Sequence, residues 1–83
     1  MSLRDYLFHE EPGITLYCGD AREVLRHLEP ESVQCVVTSP PYWGLRDYGV
    51  DGQLGLEPSP DKYRLALAGI FSQVMRALRE DGT

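Results

Sequence analysis

An apolar run that ends in two consecutive prolines constrains this chain more than any other feature. Val33-Gln34-Cys35-Val36-Val37 reads as a buried strand, and Thr38-Ser39-Pro40-Pro41-Tyr42-Trp43 follows it without a break. Pro40 forces Ser39 out of the helical region, and Pro41 does the same to Pro40. Neither proline has an N–H, so the turn cannot continue a sheet ladder and presents mainly carbonyl acceptors. The result is a strand that runs into a stiff, acceptor-rich loop with two aromatic side chains at its far end.

The order of the remaining elements follows from local signals. Residues 1–13 are polar and close on a Pro12-Gly13 turn. Ile14 to Cys18 alternates as a strand, with Ile14, Leu16 and Cys18 on one face. Gly19-Asp20 breaks it. Asp20 is placed to cap a short helix over residues 21–28, with Glu23 completing a capping-box pattern. Ala21, Val24, Leu25 and Leu28 make its apolar stripe. The second strand is expected over Val33–Thr38. Residues 39–60 hold four prolines and four glycines with no steady period, which predicts a long loop. Ser59 and Pro60 then start a helix whose stripe is Tyr63, Leu67, Ile70, Val74 and Leu78, with Gly82 expected as its C-terminal cap. Strand, helix, strand, loop, helix is the order of a parallel α/β sheet.

Size and charge narrow the function. At 83 residues the chain makes at most one small domain and buries only about 60% of its unfolded surface. The net charge of −5 argues against these residues alone gripping a phosphate backbone. Cys18 and Cys35 lie in apolar runs and read as buried free thiols. With His9 and His27 they show no paired ligand spacing, so no metal is expected. No run approaches the roughly 20 apolar residues of a membrane span, and no signal peptide is visible; the expected location is the cytoplasm.

The loop after the second strand has two readings. In open α/β sheets, ligands bind beyond the carboxyl ends of the strands, which is where this loop begins. Its carbonyls can accept from an exocyclic amine, and an aromatic face can hold the attached ring. Alternatively it is a proline-rich turn whose Tyr42 and Trp43 simply pack.

Residues 14–83 resemble the amino-terminal part of the DNA cytosine-N4 and adenine-N6 methyltransferases, in the class whose catalytic motif precedes the cofactor motif. Gly19-Asp20, Glu23, Leu25, Pro30 and Ser32-Val33 look like the segment leading into the catalytic strand. Thr38 to Trp43 matches the catalytic motif. Gly52 to Glu57, Tyr63 and Leu78 to Thr83 match the family's segment on the carboxyl side of that motif.

The resemblance implies a Rossmann-like parallel sheet, of which residues 14–83 are the front part and residues 1–13 a preceding segment. It implies methyl transfer from S-adenosylmethionine to a base flipped out of double-stranded DNA, in a bacterial, archaeal or phage modification enzyme. Ser39, Pro40, Pro41 and Tyr42 would form the catalytic loop, Trp43 and Arg46 would touch substrate, and Asp20 would lie beside the cofactor. Asp20 equally serves as a helix cap, and Arg46 equally as a solvated loop charge. Ser39 suggests the cytosine-N4 branch, because adenine-N6 members more often carry Asp or Asn there. Related loops that methylate RNA bases or protein glutamine favour Asn at that position.

No glycines here match the family's Phe-x-Gly-x-Gly cofactor loop, which in this class comes late in the chain. The expectation is the front of a larger enzyme; a non-catalytic remnant that binds a partner is the rival.

Overall fold

The computed structural model describes residues 1–44, 47–49 and 51–83. It is a small α/β unit with a two-stranded antiparallel sheet and two helices. A 3-10 turn over Leu3–Tyr6 leads into β1, Leu7–Glu11, which pairs with β2, Ile14–Tyr17. The turn between them is Pro12-Gly13. Gly13 takes φ 84°, the left-handed value that a Pro-Gly type II turn requires at its glycine. The segment that read as merely polar thus supplies one arm of a hairpin.

α1 covers Ala21–Val24 and tightens into a 3-10 turn over Leu25–His27. Asp20 caps it as expected, its carboxylate accepting from the Arg22 N–H at 2.9 Å. Glu23 does not complete a capping box; it pairs with Arg26 at 3.7 Å instead. α2 covers Pro60–Ala77. Ser59 accepts from the Lys62 N–H at 3.3 Å, and Pro60 holds the first helical position. Tyr63, Leu67, Ile70 and Val74 are all half-buried on one stripe.

The end of α2 departs from expectation. The helix stops at Ala77, with Leu78 as its extended C-cap, and Gly82 lies five residues beyond. A competing set of backbone bonds decides this. The last carbonyls of a helix lack intrahelical partners. Here the Arg76 carbonyl accepts from Glu31 N–H, and the Ala77 carbonyl from both Ser32 and Val33 N–H. Leu78 then forms a parallel bridge with Val33. Gly82 instead closes a turn, donating to the Arg79 carbonyl at 2.8 Å.

The same turn explains why residues 33–38 do not form the regular strand expected of them. They run beside residues 78–83 with a bend at Gln34, bonded through Arg79 N–H to Val33 O, Thr83 N–H to Gln34 O, and Val36 N–H to Thr83 O. The turn at residues 80–81 and the bend at Gln34 interrupt the ladder, leaving one parallel bridge among the described residues.

Arg76 ties the helices together, donating from Nη2 to the Leu25 carbonyl at 2.8 Å. Few side chains are enclosed: among the described residues, Ala77, at 2% exposure, is the buried hydrophobic one. Cys18 and Cys35 are exposed, not buried as their apolar neighbours suggested. The chain exposes 6485 Å², against roughly 5,000 Å² for a compact monomer of its mass. Apolar runs are therefore available here without partners to cover them.

Candidate functional site

The Ser39–Trp43 loop follows the 33–37 segment, which pairs with residues 78–83 but is not the regular strand expected of it. Two struts from distant parts of the chain hold it. On one side, the Tyr63 hydroxyl of α2 donates to the Pro41 carbonyl at 2.7 Å. On the other, the Trp43 indole Nε1 donates to the Glu57 carbonyl at 2.9 Å, and Gly44 N–H donates to the Gly55 carbonyl. Glu57 also accepts from Gly55 N–H through its carboxylate, at 2.8 Å. Gly55 is required at this crossing. Its φ is 107°, and a Cβ there would sit 3.1 Å from the Tyr42 carbonyl oxygen.

Between the struts, Tyr42 points outward and is 73% exposed. Ser39 is exposed, while Pro40 and Pro41 are half-buried. Trp43 is 42% exposed, with its polar edge fixed by Glu57. Ser39, Pro40, Pro41 and Tyr42 are thus consecutive on a braced loop, with an acceptor-rich backbone and one free aromatic face. Arg46 lies outside the described residues.

Behind the loop is an apolar cleft of about 390 Å³, lined by Val36, Ser39, Pro40, Leu67, Ile70 and others. An adjoining cleft of about 300 Å³ holds Asp20, Arg22, Tyr48 and Gln53, and the two share Ala21, Leu54 and Ile70. Asp20 is therefore brought to the neighbourhood of the loop. Both its oxygens are engaged by Arg22: Oδ1 accepts from Nε at 3.0 Å and Oδ2 from Nη2 at 2.7 Å. Arg22 Nη2 also donates to the Gly52 carbonyl, fastening α1 to the loop. A cofactor group reaching Asp20 has to share it with Arg22 or displace Arg22. Among the described residues, no group of three His, Cys, Asp or Glu side chains is arranged to hold a metal ion. No helix among them is long and apolar enough to cross a membrane.

The Arg22 hydrogen bonds hold the Asp20 carboxyl below its ordinary value of 3.8. A depressed carboxylate contributes stability that is present above its ordinary pKa and lost as pH falls through its folded value. The start of α1 is accordingly expected to loosen in acid, below about pH 3.8. Both side chains are largely in water, so the effect is local and small. Amide exchange at Arg22, followed down an acid titration, checks it. Protection relative to the intrinsic exchange rate should fall through that window in the native chain, and Asp20→Asn should remove that fall. Equal pH dependence in both proteins counts against the cap.

Tyr63, Arg22 and Gly55 were missed as site residues. Tyr63 carries a helix-stripe signal that says nothing of its hydroxyl. Arg22 meets Gly52 across 30 positions, which no local pattern encodes.

No protein-family model matches the chain, and no solved structure matches it. Characterised relatives do. It is 58% identical over 71 residues to the Type II methyltransferase M.Cfr9I of Citrobacter freundii, covering 86% of this chain and 24% of that protein. It is 56% identical over 71 residues to M.XycI of Xanthomonas campestris pv. cyanopsidis, with the same coverage. Against M.SfiI of Streptomyces fimbriatus it is 48% identical over 80 residues, or 96% of this chain and 19% of the relative. Over most of its length, then, this chain is similar in sequence to Type II methyltransferases, and it spans about a quarter or less of the length of these relatives.

Proposed function

We propose that this chain is the catalytic-loop portion of a DNA amino-methyltransferase, acting at cytosine N4. The observation that carries the reading is the braced Ser39–Trp43 loop, with Tyr42 free at its tip. The similarity to Type II methyltransferases supports it. The fold that goes with it is a Rossmann-like parallel sheet, with residues 14–83 at the front of the catalytic domain. The parallel bridge between Val33 and Leu78 is consistent with that sheet.

The chemistry comes from the parts. A base amine is a poor nucleophile, because its lone pair is delocalised into the ring. The Ser39 hydroxyl and the Pro40 carbonyl accept its two hydrogens, which favours a more tetrahedral nitrogen and frees the lone pair. The base leaves the duplex first, as it must for any enzyme that reacts at a base. Tyr42 then stacks on its face, and Trp43 and Arg46 are the further substrate contacts we assign. S-adenosylmethionine is the donor we assign; when bound, it supplies an electrophilic methyl group. Asp20 is the cofactor contact this chain offers. The amine loses its proton late, to water, so the loop needs no strong base and no metal.

The short hydroxyl of Ser39 favours cytosine over adenine, whose enzymes usually carry a carboxylate or amide at this position. The charged groups lining the clefts beside the loop are mostly acidic: Asp20, Asp47, Asp51 and Glu57 against Arg22. Grip on DNA phosphates therefore comes from other parts of the enzyme. The expected setting is the cytoplasm, within a restriction-modification system.

The test is a graft: this chain replaces the matching stretch of the Citrobacter freundii relative, and treated DNA is digested to nucleosides and analysed by mass spectrometry. N4-methylcytosine is the expected product. N6-methyladenine alone would overturn the choice of base and leave methyl transfer standing. A graft that melts cooperatively and binds S-adenosylmethionine, yet methylates nothing, would sink the catalytic reading in favour of a non-catalytic remnant.

A further inference from the structure

We propose that Tyr63 is a positioning residue for Tyr42: its hydroxyl, fixed on α2, holds the Pro41–Tyr42 peptide so that the Tyr42 ring faces the substrate. This rests on the methyltransferase reading and extends it to a residue outside the catalytic motif.

The need for such a strut comes from the loop's composition. Pro40 and Pro41 have no N–H, so the stretch before Tyr42 cannot anchor itself by donating to anything. It can be held only through its carbonyls. The Tyr63 hydroxyl takes the Pro41 carbonyl at 2.7 Å, across 22 residues of sequence. That carbonyl belongs to the peptide whose plane sets where Tyr42 points. The chain after Tyr42 is fixed separately, by Trp43 to Glu57 and Gly44 to Gly55. With both flanks tied, the backbone that carries the ring is fixed on either side, while the ring itself stands 73% exposed.

Tyr63 is well placed for this task. It lies in the first turn of α2, where its own N–H donates to the Ser59 carbonyl at 3.2 Å. Its ring belongs to the half-buried stripe, so the phenol approaches the loop from a rigid base. The ring packs and the hydroxyl orients. Phenylalanine separates the two roles, because it keeps the first and deletes the second.

The experiment is a double-substitution cycle in the graft described above, with kcat and KM measured for DNA and for S-adenosylmethionine. Tyr63→Phe should lower kcat roughly 2- to 13-fold, the worth of one neutral hydrogen bond, with both KM values unchanged. In a Tyr42→Ala background the same substitution should cost nothing further, because the ring it aims is gone. A purely structural hydroxyl would cost the same factor in both backgrounds. That result, or wild-type kcat in Tyr63→Phe, overturns the proposal while leaving the catalytic reading intact. A well-folded graft with native Tyr63 and Tyr42 that transfers no methyl group overturns both.

Discussion

Tyr42→Ala is expected to cut turnover of the grafted enzyme roughly 5- to 150-fold and to leave its melting temperature nearly unchanged. The stability side comes from exposure. Within this chain Tyr42 is 73% exposed, so truncation removes little of the area these residues bury and opens no cavity among them. The activity side comes from stacking. One base on one aromatic face is worth about 1–3 kcal/mol, and that range, felt fully in the transition state, gives the stated factor. Tyr42→Phe should retain most activity, because the face does the holding and the hydroxyl makes no contact the chemistry needs. Turnover measured beside thermal melting separates the alternatives. If the ring only packs, alanine should lower the melting temperature and the loss of turnover should track unfolding. A Tyr42→Ala enzyme that melts normally and methylates at the native rate would remove Tyr42 from the site.

The parts of this fold that were legible in the sequence are those set by neighbours a few residues apart. Ser59 and Pro60 announce α2 because a cap oxygen and a pre-set φ act within one turn. Asp20 announces α1 for the same reason. The Thr38–Trp43 loop is legible because proline sterics are local. The features that were missed depend on partners far along the chain. β1 exists because Leu7–Glu11 pairs with β2, and its polar residues gave no apolar alternation to see. Gly82 is a sound cap by local rules, but the N–H groups of Glu31, Ser32 and Val33 claim the last carbonyls of α2 first. The run at 33–38 stays short of a strand because it bends at Gln34 and the turn closed by Gly82 breaks its parallel neighbour. The site divides in the same way. That Ser39 to Trp43 share one loop was legible from local proline sterics. Its strut from Tyr63 to Pro41, and the tie from Arg22 to Gly52, join positions 22 and 30 residues apart and carry no local signal.

The isolated 83-residue chain is expected to transfer no methyl group and to bind S-adenosylmethionine no tighter than millimolar, a range no better than weak surface contact. Three observations lead there. Its surface of 6485 Å² exceeds the compact value by roughly 1,500 Å². Its radius of gyration is 14.1 Å, against about 12 Å for a compact chain of this length. Val37, Leu65 and Met75 stand 94%, 62% and 75% exposed, although each belongs to an apolar run or helix that normally finds cover. A unit with so little enclosed area has little to set against its conformational entropy, and it should melt broadly. The cofactor fares no better. Asp20, its assigned contact, is already bound through both oxygens by Arg22, and a lone carboxylate half in water gives little affinity. Titration calorimetry of the isolated chain should therefore give no measurable heat at micromolar concentrations, while the graft binds. Micromolar binding by these residues alone would overturn this and place the grip on the methyl donor in the cleft beside the loop. The Asp20–Arg22 pair would be the first contact to test, because Asp20→Asn would then weaken binding without touching the Ser39–Tyr42 loop.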